Sequence, residues 1–193
     1  RIVSMSLDGG GVSSMSGTYF SIFDRYYVLT VMHGIAGECE YTKILVDVNY
    51  YDCLKYVHGD GVDDYMIMEV EKIEDKKPLN FFTDIPWFSS AQMPPLLEPV
   101  YYTGYPNTMG PFTIRGQVMG YDAIGSEHIY ILSYAWMGAS GSGVFDSRGK
   151  LMGYVIAIDV GQLEFGIQIL ENVVMIAPTT QIDWRHLLTE FYK

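Results

Sequence analysis

Short runs of apolar residues, separated by glycine and other turn-forming residues, recur along the whole chain. The runs are rich in Val, Ile, Tyr and Phe and about four to eight residues long, which is typical of β-strands rather than helices. The sequence therefore predicts an all-β fold. The candidate strands include residues 17–23, 26–31, 43–50, 64–70, 101–105, 112–121, 128–133, 143–146 and 151–158.

Two local signals refine this pattern. Residues 147–150 read Ser-Arg-Gly-Lys between two apolar runs, where Gly149 can supply the positive φ of a tight hairpin. Near the end of the chain, Asp183 is a candidate N-cap, and apolar residues follow it at helical spacing. A helix is therefore predicted within 181–193, with an apolar face formed by Trp184, Leu187, Leu188 and Phe191.

A proline-rich segment divides the chain. The alternation fails between residues 72 and 99, where Pro78, Pro86, Pro94, Pro95 and Pro99 occur. Such a segment is typical of a connection between two compact units. The predicted division is an N-terminal β subdomain over 1–75, a linker over 76–99, a second β subdomain over 100–180 and the helix over 181–193.

Composition and charge exclude several classes of protein. Of the 193 residues, 49% are hydrophobic and 18% charged, which excludes a disordered chain. Twelve Lys and Arg against 23 Asp and Glu give a net charge of −11, and the longest basic cluster is Lys76-Lys77, so no nucleic-acid partner is expected. The most apolar run, 151–158, is far shorter than the about 20 residues that span a bilayer, so no membrane segment is expected.

The two cysteines, Cys39 and Cys53, are too few for a disulfide framework, although one bridge between them stays open. Their number favours a reducing compartment and hence a cytoplasmic location, which would be the host cytoplasm for a viral protein. The sequence begins at Arg1 and shows no signal-peptide pattern. We therefore expect an excised piece of a larger protein, or a processed product.

Three segments carry candidate chemistry, and the first ends in histidine. The apolar run 26–31 leads into Met32, His33 and Gly34, so that a strand end delivers the imidazole. A rigid strand can aim such a group at a substrate. A lone histidine after an apolar run is, however, more often structural.

The second segment, residues 59–70, places carboxylates before an apolar strand. Asp64, or its neighbour Asp63, can accept the proton of one histidine nitrogen and so select the tautomer that a general base needs. Ordinary turn chemistry also explains Asp and Gly before a strand, and an acidic loop can hold a cation. No EF-hand spacing is present.

The third segment has small residues at five consecutive positions, from Gly138 to Ser142. Such a loop can fold tightly with several backbone amides turned inward, so that a serine within it lies beside a nest of N–H donors. A flexible linker has a similar composition, but Trp136 before the loop and Val144 after it do not suit a linker. We therefore interpret the segment as a nucleophile loop centred on Ser140.

Together the three segments supply the groups of nucleophilic catalysis by serine: a base, a carboxylate that orients it, a hydroxyl and donors for an oxyanion. Their order along the chain is His33, Asp64, Ser140. An α/β-hydrolase has the order serine, acid, histidine and a G-x-S-x-G turn before a helix. Here the third residue of that pattern is Ser142 and a strand follows.

The same segments resemble the chymotrypsin-like (trypsin-like) serine protease superfamily, closest to its disulfide-poor viral and HtrA-type members. Residues 29–33 resemble the strand ending in Thr-Ala-x-His, residues 64–70 resemble Asp before an apolar strand, and residues 138–143 resemble the Gly-Asp-Ser-Gly-Gly-Pro loop. Weaker similarities extend over most of the chain. Residues 17–20 resemble the family's Gly-Ser-Gly-Phe strand, residues 103–106 resemble its Gly-x-Pro turn, and residues 146–153 resemble the hairpin after its nucleophile.

This resemblance implies two six-stranded antiparallel β-barrels with a cleft between them and a C-terminal helix. It implies His33 as general base, Asp64 as its orienting carboxylate in preference to Asp63, and Ser140 as nucleophile. The backbone amides of Gly138 and Ser140 would form the oxyanion hole. The barrel of 1–75 would carry His33 and Asp64, and that of 100–180 would carry Ser140.

Departures from the family pattern modify these expectations. Ala139 replaces the acid that pairs with a freed N-terminus in digestive members, so zymogen activation through that pair is not expected. Gly143 replaces proline, and Gly34 stands where the histidine-loop cysteine would be. The substrate pocket would be lined by Tyr134, Ala135, Val155, Ile156 and Ala157, which favours an apolar or aromatic residue before the cleaved bond.

We therefore predict a serine endopeptidase that cleaves through an acyl-enzyme and needs neither cofactor nor metal, with a peptide or polyprotein as substrate. The small size, the missing family disulfide and the absent signal peptide favour viral polyprotein processing. A bacterial or phage protease of the same fold is the alternative. A catalytically silent pseudoprotease that binds peptides is a third possibility, which the intact triad disfavours.

Overall fold

The computed structural model describes residues 1–7, 10–87, 93–122, 128–163 and 166–189, with only the backbone for 157–163 and 166–171. The predicted all-β, two-barrel class is confirmed. The N-terminal half forms a curled eight-stranded sheet with the order β2-β1-β5-β6-β7-β4-β3-β8. Its strands are β1 Ile2–Met5, β2 Val12–Met15, β3 Thr18–Ile22, β4 Arg25–Thr30, β5 Thr42–Val46, β6 Asn49–Asp60, β7 Tyr65–Val70 and β8 Leu79–Asn80.

The C-terminal half forms a closed six-stranded barrel with the order β10-β11-β14-β13-β12-β9. Every pairing in it is antiparallel, whereas the N-terminal sheet contains one parallel pair, β3 with β8. The barrel strands are β9 Pro99–Gly104, β10 Phe112–Tyr121, β11 Ile129–Leu132, β12 Gly143–Phe145, β13 Leu151–Leu163 and β14 Gly166–Pro178.

Two hydrophobic clusters fill the halves, but the larger one is not confined to the N-terminal sheet. It also contains Leu151, Tyr154 and Ile156 of β13, Ala177 of β14, and residues of the C-terminal helix. The smaller cluster lies inside the C-terminal barrel. Strand β13 therefore contributes side chains to both cores and ties the two halves together.

The strand predicted over 43–50 is two strands. The chain reverses at Asp47 and Val48, where Asp47 has a left-handed φ of 54°, and β6 then runs for twelve residues. Asp tolerates this conformation better than most residues because its short polar side chain can bond locally. Strand β6 gives little apolar signal, since Cys53 is its one fully buried residue.

The predicted hairpin and helix signals are both present. Gly149 has φ +77°, and Asp183 Oδ1 accepts hydrogen bonds from the backbone of Arg185 and His186 at 3.1 and 3.2 Å. Helix α2, Trp184–Thr189, buries Trp184 against the larger core. Residue Phe191, also predicted on this face, lies outside the described residues. A second short helix, α1 Phe81–Asp84, falls inside the predicted linker.

Cys39 and Cys53 form a disulfide, a pairing that the sequence left open. The bridge joins the 3₁₀ turn Cys39–Tyr41, a few residues after His33, to strand β6. Disulfides persist mainly in oxidising compartments, whereas the cysteine count favoured a reducing one. The cytoplasmic location therefore stays a prediction from sequence alone.

No helix within the described ranges is long and apolar enough to cross a membrane.

Candidate active site

Asp64 holds His33 and the residue before it through three hydrogen bonds. His33 Nδ1 lies 2.6 Å from Asp64 Oδ2, and the backbone amide of His33 donates to Asp64 Oδ1 at 2.8 Å. The amide of Met32 donates to the carbonyl of Asp64 at 3.3 Å. Because Nδ1 faces the carboxylate, the ring is fixed in orientation and its Nε2 is the nitrogen left for a substrate or nucleophile proton.

The turn before β7, rather than the strand itself, aims this carboxylate. Asp63 and Asp64 both precede Tyr65, and Asp64 has a left-handed φ of 53°. Alternation along a strand therefore does not decide which of the two carboxylates faces His33. The carbonyl of Asp63 instead accepts a hydrogen bond from Tyr154 Oη at 2.7 Å, and its amide donates to Asp60 Oδ1 at 3.1 Å.

The pair alters the acidity of both the ring and its surroundings. The hydrogen bond to Asp64 raises the pKa of His33 above its ordinary value; partial burial opposes this, and the charge of Asp64 adds to it. Burial, followed by the charges of Asp64 and Asp63, raises the pKa of Tyr154 far above its ordinary value. Tyr154 therefore stays a neutral donor to the turn at any physiological pH.

The loop around Ser140 leaves two amides free. The carbonyls of Met137, Gly138, Ala139 and Ser140 all accept hydrogen bonds, from Asn107 N, Ser16 Oγ, Ser142 N and Ser16 N respectively. The amides of Ala139 and Gly141 donate to the carbonyls of Trp136 and Val155, at 2.9 and 2.7 Å. Among the described residues, no hydrogen bond engages the amides of Gly138 and Ser140. These are the two amides that the resemblance assigns to an oxyanion hole.

Glycine is required at two positions of this loop. Gly138 and Gly141 have φ of +94° and +84°. A Cβ added at Gly141 would lie 2.2 Å from the carbonyl oxygen of Ser16, and one at Gly138 would lie 2.6 Å from that of Tyr105. Any side chain would therefore push the loop away from the neighbouring chain, which explains the run of small residues around Ser140.

Ser140 is half-buried and lies against the segment that leads to His33. The amide of Ser16 donates to the Ser140 carbonyl at 2.9 Å, and Thr30 Oγ1, three residues before His33, donates to the Ser16 carbonyl at 2.7 Å. Within the described part of the chain, Ser140 Oγ makes no hydrogen bond to His33. Such bonds are often long in a free enzyme and tighten when substrate binds.

The predicted pocket residues lie in different environments. Ala135 and Val155 are buried in the core of the C-terminal barrel, and Ile156 is buried in the larger core. Tyr134 is 58% exposed and stacks on Trp136. The side chain of Ala157 is outside the described residues. Only Tyr134 of the four described side chains is therefore open to a substrate in this structure.

Sequence reasoning missed the residues that hold the nucleophile loop. Ser16 and Asn107 bond to it directly, whereas Tyr105 and Thr30 bond to Ser16. Ser16 directly precedes residues 17–20, whose similarity to Gly-Ser-Gly-Phe was the one available signal. No group of three or more potential metal ligands occurs among the described residues.

Comparison with known proteins adds to this geometry. The profile of the trypsin-like peptidase domain family matches residues 16–153, which hold His33, Asp64 and Ser140. No curated protein sequence matches the chain significantly.

Among solved structures, the active form of the Rv3671c protease from M. tuberculosis has a TM-score of 0.70 at 18% identity, with 92% of this chain and 74% of that chain covered. The serine endoprotease from Yersinia pestis has a TM-score of 0.69 at 20% identity, with 98% of this chain and 62% of that chain covered. The inactive form of the Rv3671c protease has a TM-score of 0.62 at 17% identity, with 92% and 82% covered. At these identities the likeness is one of fold, and this chain spans less than two thirds of the Yersinia protein.

Proposed function

The chain belongs to the trypsin-like peptidase domain family, and from that membership we propose that it is a serine endopeptidase with His33, Asp64 and Ser140 as its catalytic triad. In the first step Ser140 Oγ attacks the carbonyl carbon of the peptide bond while His33 Nε2 takes its proton. The resulting oxyanion lies between the amides of Gly138 and Ser140. His33 then gives the proton to the leaving amine, and an acyl-enzyme remains.

Water completes the cycle by the same chemistry. His33 takes a proton from water, which attacks the acyl carbon, and the ester bond to Ser140 breaks as the serine regains its proton. Asp64 remains ionised throughout and stabilises the imidazolium that forms twice in each turnover. No metal or cofactor enters any of these steps.

The observation that carries the proposal is the combination of the 2.6 Å contact between His33 Nδ1 and Asp64 with the two free amides flanking Ala139. Either feature alone occurs in proteins without enzymatic activity. Together they would supply Ser140 with an oriented base and an oxyanion site. A pseudoprotease would have no need to keep both.

The proposed substrate class is a small set of sites in a longer precursor, as in viral polyprotein processing. This part rests on the small catalytic unit and on the lack of the family's cysteine after His33. The alternative is a bacterial or phage protease with a broader choice of sites. A cleavage profile on a peptide library separates the two, since a processing enzyme cleaves few sequences and requires several positions on both sides of the bond.

Labelling with a fluorophosphonate tests the catalytic proposal directly. This probe reacts with activated serines and does not depend on the preferred substrate. We expect one equivalent of label on Ser140, found by mass spectrometry of a digest, and no label in Ser140→Ala. A folded protein that stays unlabelled, or is labelled at another serine, would refute the assignment.

A further inference from the structure

Ser16 connects the two halves of the protein directly behind the nucleophile loop. It lies between β2 and β3 and is 1% exposed. Its Oγ donates to the carbonyl of Gly138 at 2.7 Å and accepts from the amide of Tyr105 at 2.9 Å. Its backbone amide donates to the carbonyl of Ser140 at 2.9 Å. One residue of the N-terminal half thus binds the carbonyls of both residues whose amides are free.

These bonds help to fix two peptide planes of the loop. One is the plane between Gly138 and Ala139, and the other is the plane between Ser140 and Gly141. In the plane between Gly138 and Ala139, the carbonyl is held by Ser16 Oγ and the amide by the Trp136 carbonyl. In the plane between Ser140 and Gly141, the carbonyl is held by Ser16 N and the amide by the Val155 carbonyl. The Gly138 N–H lies in the plane before the first of these, and the Ser140 N–H lies in the plane between the two. A rotation of the plane between Gly138 and Ala139 therefore changes the relative direction of the two N–H groups.

The hydroxyl matters because the plane that it holds begins at a glycine. Gly138 has φ +94° and no Cβ, so its own backbone preferences restrict the following peptide plane very little. Without Ser16 Oγ, the carbonyl of Gly138 and the amide of Tyr105 each lose a partner in a place that water reaches poorly. A rotation of the plane toward another donor would then misalign the two amides.

We propose that Ser16 is a positioning residue that aligns the oxyanion-binding amides through the carbonyl of Gly138. The inference rests on the proposed function, because it concerns the same site. Ser16 is almost fully buried and makes no hydrogen bond to His33 within the described part of the chain, and the contact of Asp64 with His33 does not involve it. Its hydroxyl therefore affects the stabilisation of the oxyanion and not the protonation of the base.

This role has a specific kinetic signature. Removal of one oxyanion donor lowers turnover by about 10²–10³, so misalignment without removal should lower the acylation rate about tenfold to a hundredfold in Ser16→Ala. The oxyanion binds the two amides only in the transition state, so the KM of Ser16→Ala should differ little from that of the wild type. The midpoint of the pH profile, which reports His33, should not move.

The experiment measures acylation by p-nitrophenyl acetate as the burst of p-nitrophenol, normalised to the active sites counted by fluorophosphonate labelling. Phenylboronic acid, which forms a tetrahedral adduct with an active serine, gives a second readout through its Ki. In Ser16→Ala we expect the acylation rate to fall and the Ki to rise by similar factors, and Ser16→Thr, which keeps the hydroxyl, to recover part of both. If Ser16→Ala does not fold, Ser16→Cys, whose thiol is a weak donor, carries the same expectation.

Thr18→Val is the matched control. Thr18 lies two residues further along, is buried, and its Oγ1 has no hydrogen-bond partner in the described structure, so its isosteric replacement removes a buried hydroxyl without removing a bond. Acylation in Ser16→Ala within twofold of wild type, or an equal loss in Thr18→Val, would refute the positioning role. A wild-type protein with neither burst nor label would instead refute the proposed function itself.

Discussion

The hydroxyl of Tyr154, on the C-terminal barrel, donates a 2.7 Å hydrogen bond to the carbonyl of Asp63, on the N-terminal sheet. The next residue along, Asp64, has the left-handed φ of 53° that turns its carboxylate toward His33. A non-glycine residue in this conformation is strained and persists only where its surroundings hold it. The second barrel therefore helps to keep the orienting carboxylate of the first in place.

Tyr154→Phe should weaken this support. The change removes one hydrogen bond and leaves the Asp63 carbonyl with one partner fewer, which costs about 1–3 kcal/mol of stability. We expect kcat to fall about tenfold or less, because the three bonds between Asp64 and the His33 segment remain. Thermal unfolding and kcat measured on the same preparation check both parts. An unchanged Tm and an unchanged kcat would show that the bond does not hold the turn.

Asp64→Asn should lower kcat by about four orders of magnitude, because an amide stabilises the wrong histidine tautomer and cannot support the imidazolium. Asp63→Asn should change kcat less than tenfold, because Tyr154 binds the backbone carbonyl of Asp63, which the substitution keeps. Steady-state kinetics of the two variants side by side provide the measurement. The reverse order of effects would transfer the orienting role to Asp63.

Ser140→Ala should abolish cleavage and leave the fold intact, because a half-buried hydroxyl on a loop leaves no cavity in either core. Residual activity above about 10% would contradict the nucleophile assignment. Ser142→Ala should be far milder: its Oγ is buried but has no hydrogen-bond partner in the described residues. Product formation and circular dichroism of both variants test the pair of expectations.

The pH dependence should report His33. Its pKa is raised by Asp64, and the neutral ring is the active form, so kcat/KM should rise with pH through a midpoint above about 6.5. The same raised pKa means that the interaction of charged His33 with Asp64 adds stability below about pH 6.5 and is lost as the pH rises through the folded-state pKa. In Asp64→Asn the residual activity should have a lower midpoint. A midpoint that does not move on this substitution would show that Asp64 does not set the acidity of the ring.

Reduction of the bridge between Cys39 and Cys53 should destabilise the protein. The cysteines are 14 residues apart, and closing a loop of that size stabilises a fold by about 3 kcal/mol through the unfolded chain. Chemical unfolding with and without dithiothreitol measures the difference. The double variant Cys39→Ser, Cys53→Ser should be as unstable as the reduced protein and insensitive to the reductant. Equal stability with and without reductant in the wild type would contradict a native bridge.

The sequence was sufficient for the fold class because strand-length apolar runs, the turn glycine Gly149 and the helix N-cap Asp183 are all local signals. It also indicated His33 and Asp64 as partners through short motifs, and the structure brings them into contact. It did not indicate the left-handed φ of Asp64, in the turn that places the carboxylate against His33. The φ of one residue in a turn depends on bonds from distant segments, such as that from Tyr154, which no local pattern contains.

Two other features were beyond the sequence for the same reason. Strand β6 is largely exposed on both faces, so its pairing with β5 and β7 leaves no hydrophobic alternation to detect. Val155 and Ile156 were assigned to a substrate pocket by the resemblance to the family, but their side chains pack into the two cores. Which face of a strand meets a core is decided by partners far away in the sequence.

The shared core has a consequence for how the molecule folds. Leu151, Tyr154 and Ile156 of the C-terminal barrel are buried among side chains of the N-terminal sheet. Either half expressed alone would leave a broad apolar face open to water, so neither half is expected to be an independent folding unit. The enzyme should melt in one cooperative transition, and a chain emerging from the ribosome cannot complete its larger core until the C-terminal helix has been synthesised.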